Sequence, residues 1–408
     1  MNQVDFLVAH PLKHHVFPLA AGIRGSGATM RLITPFYRKG LGRMVAALPG
    51  NIGKKAAGYH YNGLDTAHVI SPLAWQLRKL KNGGDSNALV HEFDDYISSS
   101  ITCGDLRARV LVTMQDYLPK SVQAGRNAGM LIWSDQILNS SRSATDRILA
   151  HYNKAGNQPV SIHSESANDV ILSVADIVTT PSQYTLAGIE DRVSTSASLH
   201  VIPYGVDNQK FSIKVRKGEN IVRIVARANN FRKGGHLLLD TLQNCGESLQ
   251  KLVSGRTIEV IVIGTMEPVL AERLRRESFP NGMIVRAAVV PHMSMPDMLA
   301  SADLFVMPSL SESMSLICIE AMQAGVPLVI TPYCGIDCFE HMRMGVETSD
   351  NVEALADSLT QAFRHSDQWE EWGRHAAEAA NALGWNTYEN SIASLAKNIS
   401  SKFLAGKA

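Results

Sequence analysis

The sequence predicts an α/β protein built on two doubly wound parallel sheets. Three observations lead there. The chain has 408 residues, long for one domain and ample for two of about 200 each. Hydrophobic residues make up 45% of it and charged residues 19%, a balance that can fill two cores. Short apolar runs alternate with helical stretches in two separate series, the pattern of parallel sheets covered on both faces.

In the first series, residues 5–9 read as a strand and 15–24 as a helix, broken by Gly25-Ser-Gly27. Residues 29–34 follow as a strand, then apolar runs of strand length at 88–90, 110–113, 130–133 and 176–180. Helices are expected at 120–128 and 164–174. The second series starts after Pro203-Tyr-Gly205. Its strands are expected at 221–226, 258–263, 283–290, 304–307 and 327–331. Its helices are expected at 234–249, 296–302, 315–324, 352–364 and 366–383, with a last helix from 386 to about 403. Sheets of this kind bind ligands at the carboxyl ends of their strands.

Composition narrows the class further. No apolar run reaches the roughly 18 residues of a transmembrane helix, and MNQVDFLVAHPLKHH has no signal-peptide core. A cytoplasmic protein is therefore expected, and five sparse cysteines agree with a reducing compartment. Cys334 and Cys338 lie close together, but no second His or Cys pair completes a zinc site. The net charge of +1 is uneven: residues 1–81 hold eleven Lys and Arg against Asp5 and Asp65, a local +9. Such a field attracts anionic partners, although a solvated basic face is an equal reading.

The stretch Pro308-Ser-Leu-Ser-Glu-Ser-Met-Ser-Leu-Ile-Cys-Ile-Glu-Ala-Met-Gln-Ala-Gly-Val-Pro327 carries the chemistry. It leaves a buried strand and opens a helix, with Glu312 in the loop and Glu320 inside the helix. Amides near Ser313, Met314, Ser315, Leu316 and Ile317 form the first turn, where unpaired N–H groups and the helix dipole favour a diphosphate. Carboxylates on either side can accept hydrogen bonds from sugar and ribose hydroxyls. Arg227 and Lys233, a planar fork and a point charge, could serve a phosphate but taken alone read more readily as surface charges.

Residues 308–327 resemble the signature of the family 4 retaining glycosyltransferases of the GT-B fold: Pro-Ser, Glu-x7-Glu, Glu-Ala-Met and Ala-Gly-x-Pro. Ile202-Pro-Tyr-Gly-Val-Asp207 with Phe211 is similar to the family's interdomain segment, and Ala226-Arg227 with Lys233-Gly234 to its Gly-Arg and Lys-Gly pair. Ala302-Asp303 before the strand and Trp385 at the last helix fit as well. The resemblance covers 176–211 and 221–386 closely and the N-terminal half in outline.

It implies a GT-B fold of two Rossmann-like domains facing across a cleft. Residues 1–205 would bind the acceptor and residues 206–385 the nucleotide-sugar donor. A C-terminal helix over 386–408 would cross back onto the first domain. By position, Glu320 would bind ribose, Glu312 the hydroxyls of the transferred sugar, and Arg227 and Lys233 the diphosphate. Base contacts would fall near Val290 and His292. The chemistry implied is sugar transfer to a hydroxyl with retention, independent of metal and without a cofactor, the departing phosphate itself taking the acceptor's proton.

Several positions depart from the family. Ser313-Met314-Ser315 stands in place of Gly-Phe-Gly, so side chains are expected in the space of the donor sugar. Ala226 replaces a Gly, and Tyr333-Cys-Gly-Ile-Asp-Cys-Phe339 keeps one glycine of a Gly-rich turn. His10-Pro-Leu replaces a Gly-Gly loop on the acceptor side, where Asp116 is a further candidate. Relatives carry a His after a first-domain strand near the anomeric carbon. Asp135 after the strand 130–133, or His91 after 88–90, is the candidate here, each equally readable as a capping or core residue. Glu92-Phe-Asp94-Asp95 invites a metal reading, against which a helix start or solvated loop weighs more.

Basic residues over 13–81 mix with Leu41, Met44, Val45, Leu48 and Trp75, which suits an anionic membrane surface. A lipid-linked or growing polysaccharide acceptor is therefore expected, with peripheral contact at the inner face of the membrane. A small soluble acceptor is the alternative. A non-hydrolysing sugar-nucleotide 2-epimerase and a degenerate binding protein share the fold. Nothing points to nucleic acid.

Overall fold

The computed structural model describes residues 3–13, 15–48, 50–75, 86–157, 165–211, 213 and 220–405. Seven parallel strands form the first sheet: β1 (Val4–Ala9), β2 (Met30–Ile33), β3 (Val69–Ile70), β4 (Ala108–Met114), β5 (Leu131–Asp135), β6 (Ile177–Thr180) and β7 (Ser198–Val201). Their order is β3-β2-β1-β4-β5-β6-β7. Six more form the second: β8 (Ile221–Ala226), β9 (Thr257–Ile263), β10 (Met283–Ala288), β11 (Leu304–Met307), β12 (Leu328–Ile330) and β13 (Gly345–Glu347), in the order β10-β9-β8-β11-β12-β13. Strand order reverses between β1 and β4 and again between β8 and β11. Those two switch points are where crossover helices leave in opposite directions and open a crevice.

The second sheet shows why near-continuous apolar strands suit this architecture. Leu304 and Val306 of β11 face one cluster, together with Leu237, Leu242, Leu355 and Leu359 of the helices Gly235–Leu252 and Val352–Arg364. Phe305 and Met307 face the other, with Cys318, Ile319 and Met322 of the helix Leu316–Gln323. Side chains alternate across the sheet and both faces are covered, so every residue of β11 is apolar. The cluster on this second face continues through Ile202, Tyr204 and Tyr388 to Phe6 and Val8 of β1. One hydrophobic core therefore joins the two sheets.

The connection is close. Val206 bridges Gly384, its amide donating to Leu383 O at 2.9 Å. The helix Trp385–Ala405 then lies along the first helix, Val16–Gly25, with Gly22 facing Glu389 O and Ile392. Tyr61 adds a hydrogen bond to the Glu389 carboxylate. No helix among the described residues is long and apolar enough to cross a membrane.

Residues 88–90 are not a strand. They belong to the helix Ser86–Thr102, where Leu89, Phe93, Ile97 and Ile101 recur every fourth residue and are all buried. His91 is consequently an exposed mid-helix residue rather than a strand-end one. Asp94, in the same helix, accepts from the amides of Lys120 and Ser121 and from Ser121 Oγ. It caps the neighbouring helix Pro119–Asn127, and the acidic run lies inside the helix Ser86–Thr102, not at a helix start or in a solvated loop as expected. Of the basic segment, residues 76–81 lie outside the described residues. Met44, Leu48 and Leu73 within it are 70%, 53% and 60% exposed.

A Cβ on Gly205 would come within 2.2 Å of Trp385 N and 2.4 Å of Gly384 C, backbone atoms that cannot turn aside. Gly205→Ala is expected to lower stability by about 3 kcal/mol through overpacking at this crossing. Urea unfolding checks it; a loss under about 0.5 kcal/mol would mean that the crossing is not tight.

Candidate functional site

At the second switch point, β8 ends in Ala226 and delivers Arg227, while β11 ends in Met307 and delivers residues 308–315. The turn before the helix Gly235–Leu252 packs directly on that loop. Leu310 N donates to Arg232 O at 2.7 Å and Ser309 Oγ to the same oxygen at 3.1 Å. Glu312 N donates to Tyr333 O at 2.8 Å and Ser315 N to Cys334 O at 2.9 Å. The loop is thus held on both sides by main-chain bonds.

Glu312 lies between these supports, its side chain 13% exposed. Its Oε1 accepts from Lys233 Nζ at 2.8 Å, Arg232 Nη1 at 2.7 Å and Ser309 Oγ at 3.3 Å. Oε2 makes no hydrogen bond among the described residues. Burial pushes the carboxyl up, but Lys233 and Arg232 together outweigh it and hold Glu312 below the usual carboxylate range. Burial also lowers the pKa of Lys233, against the attraction of Glu312. Arg227 donates from Nη1 to Ile263 O at 2.9 Å and is lowered by burial. That guanidinium occupies the space over Gly264, whose φ of 109° and missing Cβ let it approach; a Cβ would sit 2.1 Å from Nη1.

The helix Leu316–Gln323 opens without a side-chain cap. Among the described residues, the amides of Ser313, Met314, Leu316 and Ile317 have no hydrogen-bond acceptor. Four donors at a helix N-terminus, beside Arg227 and Lys233, form a site for an anion. One helical turn on, Glu320 has no hydrogen-bond partner among the described residues. Burial pushes its carboxyl up to about 7, opposed only by Lys210. Val290 and His292 follow β10 at the same edge of the sheet, Val290 half-buried and His292 exposed.

The side chains of Met314 and Ser315 make contacts within the fold. Ser315 Oγ turns back to Met307 Sδ at 3.2 Å, and Met314 Sδ accepts from Tyr204 N at 3.2 Å. All three residues are buried. Ser313 O is gripped from the first domain by Ser182 Oγ and by Thr185 Oγ1, the latter at 3.0 Å.

Across the cleft, the first switch point carries His10 after β1 and Asp116 after β4. His10 is buried, its ring edge-on to Tyr117 at 5.0 Å. Asp135 ends β5 and is buried; its Oδ2 lies 2.5 Å from His15 Nε2 and its Oδ1 accepts from Thr179 Oγ1 at 2.5 Å. His15 packs 4.2 Å from the Tyr204 ring, and Tyr204 in turn holds Met314. Sequence reasoning missed His15, Arg232 and Ser309. Arg232 stands next to Lys233 and was the accessible signal; His15 contacts Asp135 only through tertiary structure.

Residues 219–365 match the family model described as Glycosyl transferases group 1. Among curated proteins, the chain is 27% identical over 167 residues to an MMP alpha-(1->4)-mannosyltransferase of Mycolicibacterium hassiacum, covering 40% of this chain and 39% of that one. It is 26% identical over 231 residues to the mannosylfructose-phosphate synthase of Agrobacterium fabrum, covering 51% and 49%. The chain thus spans half or less of the length of these relatives. Among solved structures, sucrose-phosphate synthase from Thermosynechococcus elongatus superposes with a TM-score of 0.64 at 15% identity, covering 99% of this chain and all of that one. Anabaena Alr3699/HepE in complex with UDP and glucose gives 0.62 at 15%, covering 98% and 100%. The fold is that of the GT-B glycosyltransferases. Over residues 219–365 the second domain is similar to the Glycosyl transferases group 1 family.

The two carboxylates should respond oppositely to pH and to neutralisation. Glu320 is raised from 4.5 to about 7, so between those values the folded chain holds a proton that the unfolded chain has released. Stability therefore falls as pH rises through that window and levels off above it. Glu320→Gln should remove the fall, gaining about 2 kcal/mol at pH 8 and nothing near pH 4.5. Glu312→Gln should instead lose about 3 kcal/mol at pH 8, because it leaves buried Lys233 and neighbouring Arg232 without a countercharge. Denaturant titrations of both variants at the two pH values check this; equal effects would contradict the assignment.

Proposed function

We propose that this protein is a retaining glycosyltransferase that moves a sugar from a nucleoside-diphosphate sugar to a hydroxyl acceptor. The observation that carries the reading is Glu320, a half-buried carboxylate without a hydrogen-bond partner among the described residues, in the helix whose uncapped N-terminus stands beside two cations. A group left in that state loses hydration without compensation until a ligand hydroxyl arrives. Ribose hydroxyls of a nucleotide meet that need, and its diphosphate meets the four free amides. The group 1 family match and the UDP-bound structural neighbour support the same assignment and weigh against the epimerase alternative.

In this reading, Glu312 presents Oε2 to hydroxyls of the transferred sugar while Lys233 and Arg232 hold Oε1. As the glycosidic C–O bond to the phosphate lengthens, charge grows on the departing oxygen. Arg227, Lys233 and the amides from Ser313 to Ile317 stabilise it where it forms, and they need no rearrangement to do so. The acceptor hydroxyl approaches from the first domain, past the strand ends at His10 and Asp116. It attacks on the face that the phosphate leaves, and the phosphate oxygen takes its proton. Arg227 and Lys233 do the charge work that a metal does elsewhere, so the reaction proceeds without one.

The acceptor is lipid-linked in this proposal. Met44, Leu48 and Leu73 are exposed in the same basic segment as Arg38 and Arg43, an apolar and cationic combination suited to anionic lipid. Co-sedimentation with vesicles of phosphatidylglycerol and phosphatidylcholine should show binding that salt weakens; no binding at low salt removes the lipid-linked reading.

The experiment that tests the donor site is thermal stabilisation by a panel of nucleoside diphosphates. One nucleotide at about a hundredfold excess over its Kd should add about 2.7 kcal/mol of stability. Glu320→Ala should abolish the gain. No response to any nucleotide would overturn the transferase reading.

A further inference from the structure

The loop carrying Glu312 is held from the other domain as well as from its own. The first-domain helix Arg142–Lys154 lies against the second domain, and Arg147 reaches the loop from it. Its guanidinium sits 3.6 Å over the Tyr333 ring and donates from Nη1 to Leu310 O at 3.0 Å. Nε lies 3.4 Å from Asp350 Oδ2, and Nη1 also reaches Tyr184 OH at 3.3 Å. The side chain is 18% exposed. A flat, permanently charged fork can stack, donate in plane and pair at once, which a lysine cannot.

The partners matter because of what they flank. Leu310 precedes Glu312 by two residues, and Tyr333 O accepts the amide of Glu312 itself. Ser182 and Thr185 of the first domain hold Ser313 O, immediately after Glu312. First-domain side chains therefore grip the loop on both sides of the carboxylate. The helix contact extends further through Tyr152, stacked 4.7 Å from Phe231, and His151, 2.8 Å from His236.

We propose that Arg147 is a positioning residue: it orients the Glu312 loop for the donor's sugar, so the sugar subsite is complete only when the two domains are in contact. The proposal rests on the donor-site reading above. It separates the two halves of the donor. Arg227, Glu320 and the helix amides lie within the second domain and bind the nucleotide without Arg147. The sugar depends on Glu312 and hence on the first domain.

The test is calorimetric titration of UDP against UDP-glucose and of GDP against GDP-mannose, with wild type, Arg147→Ala and Arg147→Lys. In Arg147→Ala the nucleoside diphosphate should bind within about twofold of wild type, while its sugar binds about tenfold more weakly. Arg147→Lys keeps the charge beside Asp350 without the stacked plane and should fall between. Tyr333→Leu, which removes the stacking ring and leaves Arg147 in place, should shift the same ratio and serves if Arg147→Ala does not fold. An unchanged ratio in these variants, even with lowered melting temperature, overturns the proposal alone. Failure of the wild type to bind any of the four ligands overturns the donor-site reading together with it.

Discussion

Burying a carboxylate away from water is costly unless cations and hydrogen bonds replace its hydration. Glu312 is buried on those terms: Lys233, Arg232 and Ser309 converge on one of its oxygens. Much of the second domain's upper edge follows from that convergence. It sets the turn 230–233 against the loop 308–312, and with it the place where Arg227 and the helix Leu316–Gln323 meet. Glu320, eight residues on, is half-buried on opposite terms, with only Lys210 to offset the partial loss of water. One carboxylate is satisfied within the fold and the other has no hydrogen-bond partner among the described residues. Paired groups pushed apart in this way mark a candidate binding site.

The position of the site is a consequence of topology. Strand order reverses between β8 and β11, so the helices that follow these strands diverge and the space between their first turns is open. Arg227 and residues 308–315 emerge there because they are the first residues past those strands. The first sheet repeats the arrangement with His10 and Asp116. A continuous core through Tyr204 and Tyr388 and the tight passage at Gly205 keep the two edges face to face.

The second domain was largely readable from sequence, because its strands are long apolar runs punctuated by glycine and its helices carry clear periodicity. The edge strands β3, β7 and β13 were not, since Val69-Ile70, Ser198-Leu-His-Val201 and Gly345-Val-Glu347 lack the continuous apolar run that marks a central strand. In the first domain, Ala88-Leu-Val90 misled as a short apolar run, although Leu89, Phe93, Ile97 and Ile101 already spelled a helix over a longer window. Glu312, Glu320, Arg227 and Lys233 were legible as a set through their order and spacing. The inward turn of Ser313, Met314 and Ser315 was not, because it depends on Met307 and Tyr204 from distant segments. Neither was Arg147, whose meaning arises only where two domains touch.

The most direct measurement of the central claim is amide hydrogen exchange across residues 308–323, with and without a nucleoside diphosphate. The account predicts that the free amides of Ser313, Met314, Leu316 and Ile317 become protected on binding, together with residues 227–235. Protection confined to the first domain, or exchange at Leu316 and Ile317 unchanged by a bound nucleotide, would contradict it.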